Sequence, residues 1–190
     1  MIETTTPASE FSQLLERIAR RDDVAEQQLL ALAYDELRQV ARRVMAGERS
    51  THTLSPTALV HEAYLRFSGP NGFAASDRKQ FFAFAARRMR QVLIDHARKR
   101  DADIRGGPGQ SRVTLSALDV TSAPIEIDLL ALDQAMGQLE AADARKARVV
   151  ELRYFAGMEM AEIAELLDIS RATAQRDWDV ARSYLYQTLR

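Results

Sequence analysis

The sequence predicts an all-α protein: two helical domains joined by a flexible linker. Three observations predict it. Apolar residues recur at three- and four-residue spacing through most of the chain, the pattern of helices with one buried stripe. Segment 101–126 loses that pattern and contains Gly106-Gly107-Pro108-Gly109, a composition that breaks helices. The 190 residues are 46% apolar and 28% charged, with a net charge of -1, which is the make-up of a folded chain rather than a disordered one. The domains are accordingly placed at 8–100 and 127–190, with 101–126 as the linker.

The first helix is expected to start at Pro7-Ala8-Ser9-Glu10, with Ser9 as its N-cap and Phe11, Leu14, Leu15 and Ile18 as its apolar stripe. A second runs from about Val24 to Met45 on Leu29, Leu30, Leu32, Ala33, Leu37, Val40 and Val44. Gly47 to Pro56 interrupts the pattern with hydroxyl residues. Ser55-Pro56 then opens a third helix, to Phe67: serine caps well, and proline loses nothing at the first helical position. Ser68-Gly69-Pro70-Asn71-Gly72 is a loop, and a long helix follows from about Arg78 to Arg100. In the linker, Val113 to Leu118 is expected as an extended tether rather than a paired strand. Helices resume at Asp128–Leu139, Asp143–Phe155, Met160–Leu167 and from Arg171 onward, with turns at Gly157 and at Asp168–Ser170.

The last two helices carry the most information. Ile163, Leu166 and Leu167 give the first an inward face, Ile169 plugs the turn, Ser170 caps the second, and Ala174 and Trp178 lie inward one turn apart. Arg171, Thr173, Gln175, Arg176 and Asp179 are left outward or on the flanks. Arginine and glutamine are side chains that read base edges, and a helix-turn-helix offers the start of its second helix to the major groove. The run Glu151-Leu-Arg-Tyr-Phe-Ala-Gly-Met, followed by Glu162-Ile-Ala-Glu-Leu-Leu-Asp-Ile-Ser-Arg-Ala-Thr, resembles region 4 of the extracytoplasmic-function (ECF) sigma factors. That resemblance covers about Asp128 to Leu189. It implies a domain that reads the upstream promoter element through Arg171, Thr173, Gln175 and Arg176.

The long helix concentrates charge in a nearly neutral chain. Between Arg78 and Arg105 nine basic residues face three acidic ones, Asp95, Asp101 and Asp103. Cations there can neutralise phosphates. Phe81, Phe82 and Phe84 can stack on unpaired bases, but at least two of the three are expected in the core. The helix resembles regions 2.3–2.4 of the same family, which open and capture the downstream promoter element. The resemblance covers most of Ser9–Arg100 and implies DNA contacts from Asn71, in the loop before the helix, and from Arg87, Arg88 and Arg90.

One place departs from that family. Region 2.2 usually opens with acidic residues that bind the polymerase clamp. The corresponding stretch here is Ser55-Pro56-Thr57-Ala58, before Leu59-Val60-His61-Glu62-Ala63-Tyr64. Only Glu62 supplies charge; Thr57 and His61 complete the expected polymerase-binding set. Hydroxyls stand where acids are expected, and a phosphate adds about -1.5 to -2 charges to such a residue. The departure resembles a minority ECF subgroup controlled by serine/threonine kinases. Thr51 and Thr57 are the leading candidate phosphorylation sites, Thr53 the third.

Other classes find less support. No cysteine is present, so disulfides and thiolate metal sites are excluded. His61-Glu62 begins like a zinc-protease helix, but Leu65 stands where the second histidine is needed. No metal, cofactor or catalytic residue is expected. No signal peptide or run of roughly 18 apolar residues is found, so a cytoplasmic protein without membrane contact is expected. The expected partners are core RNA polymerase, promoter DNA and a serine/threonine kinase, with the free protein a monomer. The alternatives are a regulator that uses only the helix-turn-helix, and a sigma-like adaptor that does not initiate transcription.

Overall fold

The structure is a computed structural model that describes residues 7–45, 54–67, 75–103, 112–114 and 126–189. The all-α prediction holds. The helices are α1 (Pro7–Ala19), α2 (Asp23–Val44), α3 (Pro56–Phe67), α4 (Arg78–Asp103), α5 (Leu129–Ala142), α6 (Ala144–Val150), α7 (Met160–Leu166) and α8 (Arg171–Thr188). A π-helical turn, Glu151–Phe155, continues α6.

Short polar side chains set most of the starts. Asp22 accepts from the Val24 and Ala25 amides at 3.0 and 3.2 Å, and Ser55 Oγ accepts from Ala58 at 3.1 Å. Asp77, Asp128, Asp143 and Ser170 do the same for α4, α5, α6 and α8. Each cap satisfies an amide that has no partner within the helix, and losing one costs about 1 kcal/mol. The expected Ser9 cap is corrected: α1 begins at Pro7, so Ser9 lies within the helix. Proline is already shaped for a first turn and leaves no amide there to satisfy.

The first four helices pack α1 on α2, α2 on α3 and α4, and α3 on α4. Their core holds Phe11, Leu29, Leu37, Leu59, Met89 and Ile94, all nearly inaccessible. Phe81 and Phe82 belong to it, with rings 5.2 Å apart and edge-on, and Phe11 meets Phe81 at 5.5 Å. Phe84 is half-buried beneath the Arg88 guanidinium, 4.9 Å from its ring centre. In the second set α6 packs on α5 and α8, and α7 on α8, around Leu132, Leu152, Ile163, Trp178 and Leu185.

The tether expectation is also corrected. Arg112–Thr114 (β1) pairs antiparallel with Glu126–Asp128 (β2), with Val113 opposite Ile127. The pairing gives two extended pieces backbone partners just before α5 begins.

The two sets share one continuous apolar core. α4 packs on α5, on the π-helical turn and on α7, and α2 also meets the π-helical turn. Among the described residues no helix is long and apolar enough to cross a membrane.

Candidate functional site

α7 and α8 form a helix-turn-helix. A capping box opens α7: the Glu159 amide donates to Glu162 Oε2 at 2.9 Å. Asp168 takes a positive φ of 52° in the turn, and the Ile169 amide bonds back to the Ala164 carbonyl at 3.0 Å. Ser170 then caps α8, with its hydroxyl also 2.9 Å from that of Thr173. Ala174, Asp177, Trp178, Ala181 and Leu185 form the buried stripe of α8.

That stripe turns the opposite side outward. Arg171, Gln175 and Arg176 are exposed, and Thr173 is half-buried against the cap. Gln175 donates to Asp179 at 3.2 Å, one turn on. Neither Arg171 nor Arg176 forms an ion pair with another described residue. Two cations with no ion pair among the described residues, and an amide bonded only to the next turn of its own helix, thus stand exposed at the start of a capped helix.

Asp177 was not singled out by the sequence. It is 2% exposed, and Arg145 of α6 binds it, Nε to Oδ2 at 2.6 Å and Nη2 to Oδ1 at 3.4 Å. A signal existed: position 177 lies three after Ala174 and four before Ala181, on the apolar stripe.

The cations of α4 are in a different state. Arg87 lies 3.4 Å from Glu140 and 3.6 Å from Glu151. Arg90 is only 12% exposed; its guanidinium lies 2.6 Å from Asp133, 3.4 Å from Glu151 and over the Phe155 ring at 5.2 Å. Arg98 also reaches Asp133, at 3.1 Å. Lys79 meets Glu165 of α7 at 2.6 Å, and that hydrogen-bonded carboxylate raises the lysine above its ordinary pKa. Arg88 turns instead to Phe84.

α3 carries the third candidate surface. Thr57 is half-buried in its first turn, which holds no acidic residue. Glu62 is engaged by His96 of α4, Oε2 to Nε2 at 2.8 Å, a partnership between residues 34 apart that the sequence did not suggest. His61 is exposed, with its ring 6.1 Å from that of Tyr34, and Leu65 beside it is 74% exposed. Arg66 pairs with Asp95 at 2.6 Å. Thr51, Thr53 and Asn71 lie outside the described residues.

Between the sets, the π-helical turn ends with the Ala156 amide on the Glu151 carbonyl at 3.1 Å. Gly157 follows with φ +73°, and Arg43 of α2 donates to the Ala156 carbonyl at 3.2 Å. Burial pushes the Tyr154 phenol in that turn up to about 12. A cleft of about 700 Å³ opens beside it, between α2 and α7, with Glu36, Arg43, Arg78 and Lys79 on its walls. Arg78 already pairs with Glu36 across it. Among the described residues no group of histidines and carboxylates is placed to hold a metal ion.

Comparison with known proteins adds one match. The family model described as ECF sigma factor matches residues 8–190, nearly the whole chain. No curated protein matches it closely enough to count. The chain belongs to the ECF sigma factor family: it is a non-enzymatic transcription initiation factor that binds core RNA polymerase and promoter DNA.

Proposed function

We propose that the two helix sets are two promoter-reading domains, 8–100 and 127–190, joined through 101–126. The C-terminal domain reads the upstream element with Arg171, Thr173, Gln175 and Arg176. The observation that carries this reading is the exposure of Arg171, Gln175 and Arg176 at the start of the Ser170-capped α8. The N-terminal domain opens the downstream element with Arg87, Arg88, Arg90 and the Asn71 loop. Two linked modules bind more tightly than either alone, provided the linker spans the sites.

Polymerase binding involves α3, through Thr57, His61 and Glu62, and is switched on by threonine phosphorylation. A first turn without acidic residues supports this, because a helix N-terminus favours negative charge and a phosphothreonine brings it. Thr57 lies in that turn; Thr51 and Thr53 are the other candidate sites. A serine/threonine kinase in the cytoplasm is the implied partner, and the free factor is monomeric.

The test is transcription in vitro from a matched promoter with purified core polymerase, before and after kinase treatment. Phosphorylated protein should initiate and unmodified protein should not. Equal initiation by both removes the switch. No initiation by either leaves only an adaptor.

A further inference from the structure

Four cations of α4 are bound by carboxylates from the other helix set. Lys79 meets Glu165 of α7, Arg87 meets Glu140 of α5, and Arg90 and Arg98 share Asp133 of α5. Glu151 of the π-helical turn adds a second partner for both Arg87 and Arg90. At about 3.6 residues per turn, positions 79, 87, 90 and 98 fall on one side of α4. A carboxylate and a phosphate make the same charge-assisted hydrogen bonds to a guanidinium.

We propose that α5, the π-helical turn and α7 form an intramolecular lid on the cationic face of α4. Their carboxylates occupy the places that phosphates of a nucleic acid take once the two helix sets separate. The proposal rests on the reading of α4 as a DNA-binding face. Arg90 shows the consequence most directly. At 12% exposure, and enclosed by Asp133, Glu151 and Phe155, it cannot meet a phosphate while the lid is shut.

The outer ion pairs of the lid are individually weak. Lys79, Arg87 and Arg98 are partly exposed, and so are Glu140 and Glu165, so their pairs are weakened by salt and contribute little singly. The other attachment is the apolar core that the two sets share, beside which Arg43 donates to the Ala156 carbonyl. A polyanion competes for the same cations that hold the lid. Binding DNA and opening are therefore coupled: whatever favours the open form raises apparent affinity in proportion to the open fraction.

The absence of cysteine makes the test direct. Gln13→Cys in α1 and Gln187→Cys in α8 are exposed positions for two spin labels in the full chain. Their distance distribution is measured by pulsed electron resonance in low and high salt, and affinity is measured for a duplex DNA without promoter sequence. The test variant is Glu140→Gln with Glu165→Gln, both exposed and safe for folding. A second, Asp133→Asn with Glu151→Gln, removes the partners of Arg90. The control is Glu16→Gln with Asp35→Asn, the same charge change away from the lid.

Longer, broader distances in both test variants and in high salt are expected. Duplex affinity should rise about tenfold if the closed form holds about nine-tenths of the population. Unchanged distances throughout overturn the lid and leave the DNA-binding reading of α4 standing. Longer distances without a gain in affinity overturn the masking and the reading of α4 together. An equal gain in the control shows net charge alone and overturns the proposal.

Discussion

Arg145 of α6 holds the buried carboxylate of Asp177 in α8 at 2.6 Å. The pair ties the middle of the helix that carries Arg171, Gln175 and Arg176 to the helix behind it. The two partners are unequal: the Arg145 side chain is 48% exposed and that of Asp177 only 3%. Arg145→Ala strands a carboxylate away from water, and an unsatisfied buried polar group costs about 1–3 kcal/mol. Asp177→Asn strands nothing, because water reaches Arg145. Thermal unfolding should show a clearly larger drop in Tm for Arg145→Ala than for Asp177→Asn. Equal drops would mean that the pair does not anchor α8.

Gly157 serves two needs at one position. Its φ of +73° is costly for a residue with a side chain, about 1–2 kcal/mol. A Cβ there would also lie 2.5 Å from Arg43 Nη1, so Arg43 would have to leave the Ala156 carbonyl. Gly157→Ala should therefore lower Tm, and Gly157→Asn should lower it less, since asparagine tolerates a positive φ. Adding Arg43→Ala to Gly157→Ala should add little further loss, because the hydrogen bond is already gone. A double-mutant cycle measures this coupling, and simple additivity would separate the two residues.

The caps give a pH dependence. The Arg17 hydrogen bond and the α2 amides hold the Asp22 carboxyl below its usual value, and Lys146 does the same for Asp143. A depressed folded-state pKa means that the unfolded chain takes up the proton first. The stabilisation is present above the unfolded value of 3.8 and is lost as pH falls through the lower folded values. Asp22→Asn and Asp143→Asn should each flatten the acid limb of the stability curve below pH 4 and leave its slope above pH 6 unchanged. Urea unfolding over that range is the measurement.

Much of this was legible in the sequence because it is local. Helical spacing located the helices, Ser55 and Ser170 announced their caps, and at least two of Phe81, Phe82 and Phe84 are expected in the core, where Phe81 and Phe82 lie. The rest depends on distance along the chain. Arg90 and Asp133 are 43 positions apart, and Lys79 and Glu165 are 86 apart. A basic run shows where cations concentrate, not which face another helix covers. Likewise nothing near Glu62 pointed to His96. Asp177 was readable from its place on the stripe, but an acidic residue is ordinarily taken as solvated.

Arg176 separates recognition from folding. It lies on the exposed side of α8, five residues after Arg171, and pairs with no described carboxylate. Alanine at that position keeps or improves helix propensity and removes no packing, so Tm should stay unchanged. A side chain that bonds a base edge by two hydrogen bonds gives about 1–3 kcal/mol of discrimination, roughly 10- to 100-fold in affinity. Arg176→Ala should thus weaken binding to a duplex carrying the upstream element and narrow its lead over a scrambled duplex. If both duplexes weaken equally, Arg176 touches phosphate rather than base. If neither weakens, α8 presents a different face to DNA, and Arg176 leaves the reader set while Arg171 and Gln175 remain to be tested in the same way.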